Sequence, residues 1–172
     1  MKQGSLFAEK FGNQFGGSLL AGSRKAVRPL SSKKPVHLVL KATSSFQLIK
    51  NKKMVEFLIF KYAHKFGIKI YEKAVHADHI HLAVQIPNRI LYARWIRALT
   101  SVLVQKIQGL KWKLRPYTRV ADWGRPFRQL KKYIFGNRLE GDFMAAANAR
   151  VDHFFETHVG PLFEKPSGSP KP

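Results

Sequence analysis

Two hydrophobic periods alternate along the chain. After Pro35 the run Val36-His37-Leu38-Val39-Leu40 is short and mostly apolar, as a buried strand is. From Asn51 to about His64, Val55, Leu58, Ile59, Tyr62 and Phe66 recur at helical spacing, and Gly67 stands where a helix stop belongs. Ile68 to Val75 and His79 to Ile86 read as two strands joined by the polar link His76-Ala77-Asp78, a hairpin. Beyond Pro87 and Asn88, the residues Tyr92, Ile96, Leu99, Leu103 and Ile107 make one stripe of a helix over 90–108, with Arg94, Arg97, Ser101 and Gln105 opposite. Residues 111–125 predict irregular chain or a short strand, and a last helix runs from Pro126 through Tyr133 to about Leu139.

This order of elements predicts an α+β sandwich: a mostly antiparallel sheet with helices mainly on one face, which the ferredoxin-like split βαβ plan satisfies. Residues 1–34 mix glycine with lysine and arginine and read as a basic arm, either mobile, or packed on the domain or tracking DNA. Residues 35–158 make the folded domain and 159–172 a loose tail rich in proline and serine. The 172 residues suit one core and are few for two domains, and no repeat is visible.

Charge narrows the partner. Lysine and arginine number 31 against 10 acidic residues, a formal +21, so a polyanion is expected, and nucleic acid leads because phosphate neutralisation releases counterions. No run approaches the roughly 20 apolar residues of a membrane span, so no membrane partner is expected. With no cysteine, disulfides and thiolate zinc sites are excluded, which fits a cytoplasmic protein.

Candidate chemistry begins at His79-Ile80-His81. Alternate strand residues share a face, so both imidazoles point one way with Ala83 and Gln85, while Ile80, Leu82, Val84 and Ile86 point the other. Two neutral imidazoles a pleat apart can bind one divalent cation; they are also compatible with two ordinary histidines on a half-exposed sheet. Tyr133 and Asn137, four residues apart, share a face of the last helix. A tyrosine oxygen can attack a phosphodiester and hold the product as a phosphotyrosine, provided a base, a cation or a water takes its proton. Its plainer role is ring packing, and that of Asn137 a helix cap. Asp78 can orient a ligating imidazole or simply form a turn.

Together these residues carry a resemblance. Ala77-Asp78-His79-Ile80-His81-Leu82-Ala83-Val84 resembles the histidine-hydrophobic-histidine strand of single-tyrosine transposases, which include the REP-associated tyrosine transposases. Lys132-Tyr133-Ile134-Phe135-Gly136-Asn137 resembles that family's nucleophile helix. The likeness spans roughly Pro35 to Glu140. It implies that His79, His81 and Asn137 bind Mg²⁺ or Mn²⁺ and that Tyr133 cuts single-stranded DNA beside a hairpin, leaving a 5′-phosphotyrosine and a free 3′-hydroxyl. The chain would work as a monomer or homodimer. Gly136 departs from a good helix former at a cost of about 1 kcal/mol, and the helix could end before Asn137 reaches the cation.

Between the two motifs, Lys111, Trp112, Lys113, Arg115, Tyr117, Arg119, Trp123, Arg125 and Arg128 interleave cations with rings, followed by Lys131 and Lys132. Single-stranded nucleic acid is bound by such patterns, cations on phosphates and rings on bases; the same rings can instead be core anchors. The resemblance also leaves room for a non-catalytic nucleic-acid binder derived from a transposase, or for a replication or plasmid-transfer initiator using the same chemistry.

Overall fold

The computed structural model describes residues 13–20, 27–43 and 46–154. Five strands form one sheet: β1 (Gln14–Phe15), β2 (Val36–Lys41), β3 (Lys69–Val75), β4 (His79–Gln85) and β5 (Tyr117–Val120), in the order β1-β5-β2-β4-β3. Every neighbouring pair is antiparallel. The helices are α1 (Gln47–Lys50), α2 (Lys52–Lys65), α3 (Arg89–Lys106) and α4 (Arg125–Phe154). β2 and β3, joined through α1 and α2, are separated in the sheet by β4, and β4 and β5, joined through α3, are separated by β2. This is the split βαβ topology expected from the order of elements.

Strand parity divides the molecule. Val36, Leu38 and Leu40 of β2 and Ile80, Leu82 and Val84 of β4 are buried in the main core. From α2 the core takes Val55, Leu58 and Ile59 and from α3 Tyr92, Leu99 and Leu103, all on the stripes predicted by helical spacing. It also takes Trp95, which lies off the predicted stripe, whereas Ile96, which lies on it, is only partly buried. Gly67 adopts φ 65° after α2, a left-handed turn that glycine enters without Cβ strain. Asn88 caps α3, its side chain accepting the Leu91 N–H at 2.8 Å.

The other face of the sheet carries His37, His79, His81 and Ala83, and α4 crosses it over β3 and β4. Ala74 and Ala83 are small, so Phe127 and Ile134 of α4 can seat against the strands in a second buried cluster. The helix does not end near Leu139 but continues to Phe154, with Gly141 on the Val75 backbone and Asp142 paired with Lys52. Packing of one face outweighs the glycine cost at Gly136, because tertiary contact rather than propensity supplies most helix stability.

Two short elements had no pattern to announce them: β1, two residues long, and the single-turn α1. β1 pairs with β5, and Arg28 donates to the Pro116 carbonyl at 2.7 Å and to Thr118 Oγ1 at 2.8 Å, its guanidinium lying over the Phe15 ring. The described residues of the N-terminal segment thus pack on the domain. The expected tail, 159–172, lies outside the described residues. No helix among the described residues is long and apolar enough to cross a membrane.

Candidate active site

His79 and His81 stand on the same face of β4, ring centroids 4.7 Å apart and nearly perpendicular. Asp78 precedes them at the β3–β4 turn, which the His76 N–H closes onto the His79 carbonyl at 2.8 Å. One Asp78 oxygen lies 2.6 Å from His79 Nδ1, and the other 3.7 Å from the Lys41 ammonium. Burial pushes the Asp78 carboxyl up, but the His79 hydrogen bond and the charges of His79 and Lys41 together outweigh it and hold the group below its ordinary value.

His37, which the linear sequence did not mark, belongs to the same face. β2 pairs with β4 so that His37 stands opposite Ala83 and Val39 opposite His81, which makes His37 and His81 diagonal neighbours. Their rings stack at 5.3 Å, and His37 Nε2 lies 3.1 Å from His81 Nδ1. Both are buried. Burial, with the charge of Arg119, lowers His37 to about 4; burial, with its histidine neighbours, lowers His81 to about 3. Both imidazoles are neutral at pH 7, the form that offers a lone pair.

The opposite wall is Tyr133. Ile134 faces inward, so its neighbour Tyr133 sits at the edge of the helix and remains 53% exposed. Its ring meets His81 edge-on at 5.4 Å and His37 at 6.2 Å. The three rings border a cavity of about 500 Å³ completed by Tyr117, Arg119 and Gln129. A cationic, aromatic cleft is thereby open to solvent beside a phenol.

Asn137 stands one turn after Tyr133, and Nδ2 donates to the Tyr133 carbonyl at 2.9 Å, within its own helix. The helix also brings Glu140 near the turn, its carboxylate 3.8 Å from His76 Nε2. His76 stacks on His79 at 4.7 Å, and donor atoms of His76, Asp78 and His79 lie within 4.8 Å of one another, a spacing compatible with metal binding. His76 was also invisible in the sequence, since a histidine in a turn has no periodicity to betray it.

The basic stretch separates into two kinds of residue. Trp112 is half-buried against the main core, and its indole N–H donates to the Thr100 carbonyl at 3.2 Å. Trp123 is 46% exposed and meets Phe127 and Tyr71 edge-on. Tyr117 and Arg119 share the face of His37 through strand pairing. Lys111, Lys113, Arg115, Arg125, Arg128, Lys131 and Lys132 are exposed.

The family model described as "Transposase IS200 like" matches residues 31–133, from before β2 to the tyrosine of α4. The chain belongs to the IS200-like transposase family. The matched segment contains the two-histidine strand and ends on Tyr133, so this is a single-tyrosine transposase relative. Among solved structures, a REP-associated tyrosine transposase bound to a REP hairpin superposes with a TM-score of 0.55 at 14% identity, covering 68% of this chain and 73% of that one. At that identity the likeness supports the fold. A candidate transposase from Deinococcus radiodurans aligns with a TM-score of 0.35 at 16% identity, over 67% of this chain and 98% of that one. No curated protein matches the chain.

Proposed function

We propose that this IS200-like transposase is a metal-dependent single-stranded DNA endonuclease and strand transferase that works through a 5′-phosphotyrosine on Tyr133. The observation that carries the reading is the placement of the exposed Tyr133 ring edge-on to His81, across a cationic cavity large enough for a nucleotide phosphate and its sugar. The donors fit a divalent cation: two imidazoles on one strand face, one of them with Asp78 at its Nδ1. His79 and His81 would hold Mg²⁺ or Mn²⁺, with the Asn137 amide oxygen as third ligand. Such an ion, when bound, supplies Lewis-acid polarisation of a phosphoryl oxygen.

The protein's own residues do the rest. Arg119, with Lys131 and Lys132 at the helix surface, draws the phosphate backbone into the cleft. Tyr133 Oη attacks the phosphorus and loses its proton to water at the open mouth; the bond to the 3′ oxygen breaks, and that oxygen leaves as a protonated hydroxyl. A second 3′-hydroxyl attacking the phosphotyrosine releases the phenol and rejoins DNA. Lys111, Lys113, Arg115, Arg125 and Arg128 contact flanking phosphates, and Tyr117 and Trp123 provide ring surfaces, whereas Trp112 is committed to the core. The REP hairpin bound by the structural relative makes hairpin DNA the natural substrate to try first.

The test is direct. Hairpin-containing single-stranded oligonucleotides incubated with the protein and Mn²⁺ should yield a covalent adduct that survives a denaturing gel. Tyr133→Phe should abolish the adduct and leave DNA binding intact. An adduct formed by the Phe variant would remove Tyr133 from the role, and salt-sensitive binding with no adduct for any oligonucleotide would favour a non-catalytic DNA binder.

A further inference from the structure

We infer that His37 is a positioning residue for His81, fixing which of its two ring nitrogens faces the cleft. The inference rests on reading His79 and His81 as cation ligands. A ligating imidazole needs a lone pair on the nitrogen turned to the ion, and the hydrogen bond at its other nitrogen decides which one that is. Asp78 occupies this place for His79, 2.6 Å from Nδ1. Among the described residues no carboxylate plays that part for His81; the group 3.1 Å from its Nδ1 is His37 Nε2.

One of these two nitrogens carries the proton and the other accepts it. When His81 Nδ1–H donates to His37 Nε2, His81 Nε2 keeps its lone pair for the cleft. With the proton reversed, His81 Nε2 bears hydrogen and cannot ligate. His37 therefore selects a ligating form of His81 only as a neutral acceptor. The two rings are buried and stacked, and the register of β2 on β4 makes them diagonal neighbours on this face. The pair of histidines is thus supported asymmetrically, His79 by an anion and His81 by a neutral ring, and the weaker support lies on the ligand nearest Tyr133.

The experiment measures Mn²⁺ affinity without DNA, by calorimetric titration of the full chain, beside its thermal midpoint in metal-free buffer. His37→Leu removes the acceptor and should weaken Mn²⁺ binding by about tenfold or more, the usual effect of losing a partner behind a ligand. His37→Gln, whose side-chain oxygen reaches the place of Nε2, should recover most of that affinity. His37→Asn, one atom shorter, should not, which keeps the test decisive should the Leu variant fail to fold. Adduct formation by the Asn variant should return at saturating Mn²⁺, a shift in metal requirement rather than in maximal rate. Wild-type affinity in the Leu or Asn variant, or equal loss in Gln and Asn, overturns the inference. His81→Ala separates the two layers: if it binds Mn²⁺ as tightly as wild type, the ligand reading itself has failed, whereas loss there with no loss at His37 sinks only the positioning role.

Discussion

Gly141 of α4 rests directly on the backbone of Val75: a Cβ at that glycine would fall 2.3 Å from the Val75 carbonyl oxygen. The end of β3 and the middle of α4 therefore meet without a side chain between them. Gly136, five residues earlier on the same helix, has nothing within 4 Å of the corresponding position. The two glycines should respond oppositely to alanine. Gly141→Ala forces the helix off the strand and should cost about 1 to 3 kcal/mol, as overpacking does. Gly136→Ala should stabilise by about 1 kcal/mol through helix propensity alone. Urea melts of the two variants check this, and equal effects at both sites would contradict the close contact.

The buried histidines predict a dependence of stability on pH. His37 is lowered to about 4 in the fold, against its ordinary value of 6.5. Between those values the unfolded chain binds the proton and the folded one does not, so stability rises with pH through this window and is lost as pH falls through it. His81, lowered to about 3, adds in the same direction. For His37 alone a difference of this size corresponds to about 3 kcal/mol. Denaturation midpoints measured from pH 7 down to pH 4 should fall, and His37→Leu should flatten the slope. An unchanged slope in that variant would place the acid sensitivity elsewhere.

Much of the fold was readable because the strands and helices that make the core each have one apolar face. The parity of β4 placed Ile80, Leu82 and Val84 inward and His79 and His81 outward, and the structure repeats that division. His37 obeys the same parity on β2, but only the register with β4 reveals that it meets His81, and register is a long-range property that no local pattern encodes. The length of α4 escaped for a similar reason. Beyond Ile134 it is held by tertiary contacts, Arg138 with Glu72, Gly141 on the Val75 backbone and Lys52 with Asp142, rather than by an apolar stripe.

The basic, aromatic stretch should divide under mutation. Trp112 is half-buried on the core and tied to the Thr100 carbonyl, so Trp112→Ala should mainly lower stability, by about 1 to 3 kcal/mol, less than the loss of a fully buried aromatic. Trp123 is half open, and Trp123→Ala should mainly weaken single-strand binding, by about 1 to 3 kcal/mol for a lost stacking surface. Arg119→Gln should reduce the salt slope of binding by about 0.7, one phosphate contact on a single strand. Fluorescence anisotropy at several salt concentrations, beside thermal melts, distinguishes these outcomes. A Trp123→Ala variant that binds normally but melts early would reassign that ring to packing.

Tyr133 should act together with the imidazoles of its own chain. Its helix is fastened to its own sheet on both sides of the tyrosine: Phe127 and Ile134 are buried against Ala74 and Ala83, Gly141 abuts Val75, and Arg138 pairs with Glu72 at 3.0 Å. Transferring the helix to a second copy would expose that cluster and break the ion pair, with nothing gained until the same contacts form again elsewhere. Mixing Tyr133→Phe with His81→Ala, each inactive alone, should then yield no adduct beyond the two backgrounds. In a chain that shares helices between copies, one site of each mixed pair would recombine an intact tyrosine with intact histidines. Recovered adduct in the mixture, rising with total protein concentration, would therefore mean that the helix is exchanged and that a dimer is the working unit.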